Sequence, residues 1–210
     1  MEPVAWDRFL REWNAALLGA RSVRESVQPE VVASGWLGYP PATPEVLAGA
    51  EDRLGFALPP SYRSFLRATN GWRAAGYFVE RFLPADEIAW FRERNAEWIE
   101  SWLEGGRIAE ARYGPTPPLT DEQYLVYGEE QRTVDMREEY LSAALQISEE
   151  GDGAVYLLNP RVVTPEGEWE AWFFASWLPG ARRYRSFWEL MQGEYRMLLQ
   201  LRADEEQRNA

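Results

Sequence analysis

The segment from Trp36 to Trp72 constrains the fold most, because it predicts two short helices with explicit stop signals. Thr43 is a good N-cap for a helix that begins with proline, and Gly55 follows the last apolar residue as a left-handed C-terminal residue. Pro60 begins the second helix, and an Asn-Gly pair at positions 70–71, which tolerates positive φ, ends it. The sequence therefore predicts a tight proline elbow between two helices.

The rest of the chain predicts helices around a run of short strands. Apolar residues at helical spacing predict a helix over residues 3–20 and another from Asp86 that ends at Gly105-Gly106. A capping-box pattern at Ser186 predicts a final helix to about Leu201. Apolar or alternating runs predict strands at 77–79, 81–83, 124–127, 144–148, 154–158 and 168–176. We therefore expect an α+β fold, with helices packed against a mainly antiparallel sheet of about four to six strands.

The length of 210 residues fits one domain. We expect this domain to cover residues 1–202, with a flexible insertion around 105–120 and a frayed tail at 203–210. The N-terminus lacks a secretion-signal pattern, and no run approaches the ~20 apolar residues that span a bilayer. These features predict a cytoplasmic protein that does not insert into membranes.

The composition excludes most common kinds of catalytic site. The chain has no His and no Cys, and its 22 basic residues are all Arg. It therefore offers no imidazole base, no thiolate, no histidine or cysteine metal ligand, and no lysine for a Schiff base or a phosphate loop. We predict no catalytic, cofactor-binding or metal-binding residues.

The charge is unevenly distributed. The net charge is −12, and residues 121–152 contribute −8 of it, with ten acidic residues against Arg132 and Arg137. Such a chain repels nucleic acid and anionic membranes and attracts basic partners. The middle segment is therefore the expected contact region for a basic protein.

The two predicted helices and the elbow between them, here called the helical block, resemble the signature of the SUKH superfamily, the Smi/Knr-type cell-wall regulator family and its bacterial relatives. The matching residues are Glu51, Leu54-Gly55, Leu58-Pro59, Tyr62, Phe65-Leu66 and Asn70-Gly71-Trp72. Residues near the C-terminal end are also similar to family members: 153–160, 167–172, Arg183-Tyr184 and Phe187-Trp188. The resemblance implies a binding fold that many bacterial members use as immunity proteins against secreted toxins and others use as intracellular scaffolds. It implies no catalytic residues.

Three carboxylates alternate in Glu166-x-Glu168-x-Glu170, which places them on one face of a predicted strand. Such a face could bind a hard cation or provide the acid and base of a glycosidase. The favoured interpretation is a solvated sheet face that resists edge aggregation. Trp169 and Trp172 point to opposite faces of this strand, so one of them needs a cover other than the helices on one side, or a partner.

The charge distribution and the family resemblance together predict a non-catalytic protein-binding module, with an immunity protein that neutralises a basic, nuclease-type toxin as the leading interpretation. An envelope-assembly scaffold and a carboxylate-dependent hydrolase are the alternatives, and we expect a monomer or weak dimer. Acids in the middle segment would steer the partner, and Glu168 with an exposed Trp would anchor it. The candidate partner-binding residues are Glu129, Glu130, Asp135, Glu138, Glu139, Asp152, Glu168, Trp169 and Trp172.

Overall fold

A computed structural model describes the backbone of residues 6–208 and, except at residues 22 and 204–208, their side chains. The α-helices are α1 (Trp6–Gly19), α2 (Arg21–Ser26), α3 (Pro29–Ser34), α4 (Pro44–Leu54), α5 (Pro60–Ala68), α6 (Phe91–Arg94), α7 (Ala96–Tyr113), α8 (Asp121–Tyr124) and α9 (Phe187–Arg208). Two 3₁₀ helices cover Gly128–Glu130 and Glu138–Ala143. The strands are β1 (Trp72–Arg73), β2 (Arg81–Phe82), β3 (Ala89–Trp90), β4 (Leu145–Gln146), β5 (Ala154–Val163), β6 (Trp169–Ala175) and β7 (Ala181–Tyr184).

The strands form an antiparallel five-stranded sheet in the order β3-β4-β5-β6-β7 and a separate antiparallel pair, β1-β2. The fold is therefore α+β with a mainly antiparallel sheet, as the sequence predicted. The predicted strands at 144–148, 154–158 and 168–176 correspond to β4, β5 and β6.

The main sheet is covered on both faces. On its large side, α1, α4, α5 and α9 pack an apolar core rich in aromatic rings; for example, the ring centroids of Phe65 and Phe187 are 5.0 Å apart. On its small side, α6, α7 and the second 3₁₀ helix enclose a smaller core around Trp172 and Phe174. Both faces of β6 are therefore buried, since Trp169 belongs to the large side and Trp172 to the small side.

The helical block forms as predicted. The Thr43 side chain accepts a hydrogen bond from the Val46 N–H at 3.3 Å, and Gly55 has φ 74° at the end of α4. The elbow is held by Glu51, whose carboxylate accepts from the Leu58 N–H and from the Arg63 guanidinium, both at 3.0 Å. Local capping signals are therefore sufficient to predict where the two helices of this part of the chain begin and end.

Two strand predictions are wrong because turn and capping signals prevail. Residues 77–79 lie in a turn in which the Gly76 N–H donates to the Val79 carbonyl at 2.9 Å. Residues 124–127 are not a strand, because Thr120 and Gln123 form a capping box that starts α8.

The predicted break at Gly105-Gly106 is also wrong. The helix predicted from Asp86 begins only at Phe91, after the strand β3. It ends at Asn95 and restarts as α7, which runs through both glycines to Tyr113. Residues 107–113 are mostly good helix formers, so the helix continues through the weak positions. The expected loop at 105–120 is therefore helical for more than half its length, and only residues 114–120 lack regular structure.

Both terminal helices that the sequence predicted are present, with ends that differ from the predicted ones. The last helix, α9, runs to Arg208 rather than to Leu201, so it extends into the predicted tail, of which residues 209–210 lie outside the described part. At the other end, the predicted helix over 3–20 is present from Trp6, and residues 3–5 are outside the described residues.

Candidate functional site

Part of the acidic middle segment, residues 128–136, lies along the outer edge of β7. The Ala181 N–H donates to the Thr133 carbonyl at 3.0 Å. The Gln131 side-chain amide exchanges two hydrogen bonds with the backbone of Arg183, at 2.7 and 2.8 Å. Residues 128–136, here called the edge segment, thus satisfy polar groups of an otherwise open strand edge.

A wholly buried carboxylate, that of Glu170 on β6, holds the chain that leads into the edge segment. Its two oxygens accept hydrogen bonds from the Tyr124 hydroxyl (2.6 Å), the Trp172 indole (2.7 Å), the Tyr127 hydroxyl (2.9 Å), the Asn159 amide (3.0 Å) and the Arg183 guanidinium (3.3 Å). Glu170 and Arg183 have 0% side-chain exposure. A buried ion pair needs such added partners, because the removal of two charges from water is costly.

Arg183 completes the attachment from β7. Its guanidinium donates to the carbonyl of Tyr124 and to that of Val126, and it lies 4.2 Å from the centre of the Tyr124 ring. Burial, followed by the nearby Glu170 charge, raises the pKa values of Tyr124 and Tyr127, so both hydroxyls stay protonated and can donate. The residues just before the edge segment are therefore fixed by a charged, hydrogen-bonded centre.

The predicted acids of the edge segment lie near the surface. Glu129 and Glu130 are exposed, and within the described residues neither forms an ion pair. Asp135 is half-buried, with one carboxylate oxygen 3.8 Å from the Arg132 guanidinium. The edge segment therefore presents at least two uncompensated negative charges to solvent.

The other predicted acids are more scattered. Glu139 is exposed, whereas Glu138 is half-buried against Gly106 of α7, and its desolvation raises the pKa of its carboxyl group. Asp152 is exposed in the turn before β5. The structure thus does not gather all six predicted surface acids into one cluster.

Three predicted anchor residues are buried, contrary to the expectation that they are available to a partner. Trp172 is fully buried on the small side, Trp169 is 6% exposed on the large side, and Glu168 is 4% exposed. The physical reason is that helices cover both faces of the sheet, so each Trp finds its own apolar core.

Glu168 binds the start of α5. Its carboxylate accepts from the Ser61 N–H at 2.8 Å and from the Ser61 hydroxyl at 2.7 Å, satisfying a free donor in the first turn of that helix. Desolvation raises the pKa of Glu168, and the Ser61 hydrogen bonds oppose that rise. This carboxylate therefore joins β6 to the helical block.

The three alternating carboxylates do not share a solvated face. Glu166 is exposed, but Glu168 and Glu170 are buried and contact different elements, since β6 begins only at Trp169 and the alternation does not extend before it. Among the side chains that the structure describes, no three acidic residues are grouped to hold a metal ion. Glu168 and Glu170 also do not form the shared cleft that a carboxylate hydrolase requires.

An exposed aromatic cluster lies beside Asp152. Trp177 is 48% exposed, and its indole N–H donates to the Asp152 carbonyl at 3.1 Å. Its ring centroid is 4.9 Å from that of Phe78, which is also 4.9 Å from that of Tyr77. Tyr77 and Phe78 were not predicted as surface residues, because their apolar run resembles a strand; the preceding Gly76 was the available sign of a turn.

Two further tryptophans that flank the helical block, Trp36 and Trp72, have a structural role. Trp72 is fully buried, and the half-buried Trp36 packs edge-on against it with the ring centroids 5.1 Å apart. Trp177 is therefore more accessible than either of them.

The fold and the candidate site define a small α+β protein with charged and aromatic surface regions and no clustered catalytic groups in its described part. The chain matches the SMI1 / KNR4 family (SUKH-1) over residues 41–193, and it belongs to that family. The matched region contains the helical block, the main sheet and the edge segment. No curated protein matches the chain.

Membership supports a non-catalytic module of the immunity or regulator type, one that binds a protein partner. No helix in the described part of the chain has the length and apolar character needed to cross a membrane.

Proposed function

We propose that this protein is a cytoplasmic immunity protein that neutralises a basic, nuclease-type toxin by binding it through the edge segment. The observation that carries the proposal is the placement of Glu129 and Glu130. They are exposed and unpaired among the described residues, on a segment held by the buried Glu170–Arg183 pair. A rigid acidic surface suits a partner whose own groove is built for the phosphates of nucleic acid.

Charge complementarity also suits the kinetic demand on an immunity protein, which must capture its target quickly. Steering between opposite charges raises encounter rates by ~10 to 10³ at low salt. Because the net charge is −12 and the middle segment contributes most of it, a basic partner would approach this part of the surface first.

The test begins with affinity capture on the immobilised protein, followed by reconstitution with the purified partner. Association rates are then measured at low and high salt for the wild type and for the triple variant Glu129→Gln, Glu130→Gln, Asp135→Asn. We expect the triple variant to associate about tenfold more slowly at low salt and to lose most of its salt dependence.

The matched control removes three equivalent charges elsewhere: Glu30→Gln, Asp52→Asn and Glu166→Gln, all of which are exposed. Both triple variants change the net charge equally, so a difference between them reports the position of the charges. Equal association rates for the two variants, or a complex insensitive to salt, would contradict the proposal.

The identity of the gene neighbours separates toxin immunity from a scaffold role. A toxin cassette beside the gene would support immunity, whereas an isolated locus would support the alternative, an intracellular scaffold or regulator of envelope assembly. The binding measurement then decides whether the edge segment is the contact surface in either case.

A further inference from the structure

Three neighbouring side chains form an aromatic patch that the edge segment does not include: Tyr77, Phe78 and Trp177. Tyr77 is 71% exposed and Trp177 is 48% exposed, and both rest on the half-buried Phe78. Phe173 supports the patch from below, with its ring centroid 5.9 Å from that of Trp177. Ring faces of this size left in water are typical of binding hot spots rather than of core packing.

The patch is built on loops that pack closely against one another. A Cβ atom at Gly151 would lie 2.3 Å from the Phe78 carbonyl oxygen, and one at Gly153 would lie 2.6 Å from the Ser176 hydroxyl. Within the described residues, the non-glycine residues with positive φ are Ala74 and Asp152, both in these loops. The aromatic rings are therefore presented by a constrained backbone, which lowers the entropy cost of binding.

The charges around the patch favour a cationic ligand. Asp152 is exposed and supplies the carbonyl that binds the Trp177 indole, and Glu80 and Glu150 are exposed in the adjoining loops. Arg182 is a nearby cation, half-buried with its guanidinium carbon 5.7 Å from the centre of the Phe173 ring. An apolar ligand would gain nothing from the acids, whereas a guanidinium can use both the carboxylate and the ring faces.

The patch is also continuous with the edge segment. The turn that carries Trp177 ends at Gly180, where a Cβ atom would lie 2.0 Å from the Thr133 carbonyl oxygen and 3.3 Å from Met136. One partner surface can therefore reach the exposed acids along β7 and the aromatic patch together.

We propose that the aromatic patch binds an arginine side chain of the protein partner, with the Asp152 carboxylate as its counter-charge. The inference rests on the proposed function, because it assumes that the partner is a basic protein. It adds a specific anchor: the edge segment attracts the partner, and the patch holds one guanidinium against the Trp177 and Tyr77 rings.

The experiment uses synthetic peptides of one neutral sequence that differ only in carrying two arginines, two lysines or two citrullines. Citrulline keeps the shape of arginine without its charge. The indole N–H resonance of Trp177 in the full chain, assigned with Trp177→Phe, reports contact with the patch. We expect the arginine peptide to shift this resonance saturably at millimolar concentration, with the citrulline peptide at least about tenfold weaker.

Two variants test the ring and the carboxylate separately. Tyr77→Ala should weaken the arginine peptide about tenfold, whereas Tyr113→Ala, which removes a 77% exposed tyrosine at the end of α7, should leave it unchanged. Asp152→Asn removes the charge while asparagine tolerates the φ of 50°, so it should weaken the peptide and preserve the fold.

The outcomes separate this inference from the proposed function. A Trp177 resonance that does not move with millimolar arginine peptide, or that responds equally to citrulline, overturns the arginine site. If the purified partner no longer binds the Glu129, Glu130 and Asp135 triple variant but binds Tyr77→Ala as it binds the wild type, the acidic surface stands and the aromatic anchor is wrong. If Tyr77→Ala weakens binding of the arginine peptide while the triple variant binds the purified partner normally, the arginine site stands and the proposed role of the edge segment is wrong.

Discussion

The two sides of the main sheet each bury a carboxylate, and they treat it differently. On the small side, Glu170 receives hydrogen bonds from five side chains, one of them a buried arginine. On the large side, Glu194 of α9 is 5% exposed, and one of its oxygens has no hydrogen-bond partner among the described residues. Burial raises the pKa of Glu194 to about 7. The two sites therefore differ in the number of hydrogen-bond donors around the carboxylate, and not in how deeply it is buried.

This difference follows from what each side has to do. The large side joins helices to the sheet through apolar and aromatic contacts, so a carboxylate there has few polar neighbours. Those neighbours are the Tyr156 hydroxyl, the Tyr184 ring and Arg182. The small side must also attach an irregular acidic segment, and the polar groups around Glu170 provide that attachment.

The largest expected effect comes from breaking the Glu170 centre. Glu170→Gln would leave Arg183 buried without its counter-charge, so we expect a loss of about 3–5 kcal/mol in the free energy of unfolding. Urea unfolding monitored by tryptophan fluorescence measures it. Amide hydrogen exchange at Ala181 and Arg183 should also accelerate, because the edge segment is released.

A control for this prediction is the pair Glu170→Gln with Arg183→Met, compared with each single change. The double variant should lose less than the sum of the single losses, since it leaves no uncompensated charge. A loss below about 1 kcal/mol for Glu170→Gln would mean that the centre contributes little to stability.

Glu194 should make stability depend on pH in the opposite sense to an ordinary paired carboxylate. Its pKa is about 7 in the folded chain against an ordinary value of 4.5, so the folded state holds a proton that the unfolded state releases. The contribution of Glu194 to the free energy of unfolding is therefore greatest below pH 4.5. It falls by about 3 kcal/mol as the pH rises to about 7.

Urea midpoints below, within and above this window measure the effect. Glu194→Gln should flatten the profile in the window, whereas Glu189→Gln, at a half-exposed position of the same helix, should leave the profile intact. A wild-type profile that rises with pH through this window would show that Glu194 does not control it.

The smallest expected effect concerns the cover of the small side. Gly105 lies inside α7 and a Cβ atom there would meet nothing within 4 Å, so Gly105→Ala should stabilise the protein by about 0.5–1 kcal/mol. Gly106→Ala is the comparison, because its Cβ atom would lie 3.0 Å from a Glu138 carboxylate oxygen. Equal shifts in the two urea midpoints would mean that Glu138 moves away freely.

The fold was predictable where the signals were local. Thr43, Gly55 and Ser186 each act within a few residues, and the helix ends they predict are present; the Glu189 N–H, for example, donates to the Ser186 hydroxyl at 3.1 Å. The segment after Gly105 was mispredicted for the same reason. Two adjacent glycines are a strong local stop signal, but the run of good helix formers at 107–113 that follows them continues the helix.

The candidate site was less predictable. Glu129 and Glu130 were correctly expected at the surface, because charged residues without apolar spacing are seldom buried. The carboxylates of Glu168 and Glu170 looked equally solvent-exposed in sequence, but their partners, Ser61 and Tyr124, are distant in the chain. No local pattern announces such partners.

The sequence by itself determined the helical block, the α+β class, the acidic balance and the lack of His, Cys and Lys chemistry, because each depends on residue identity or on neighbours a few positions apart. Only the tertiary structure decided which carboxylates are buried, that the edge segment covers β7, and that Tyr77, Phe78 and Trp177 meet. Those outcomes depend on contacts between distant parts of the chain, whose free energy is fixed by packing and desolvation rather than by local preference.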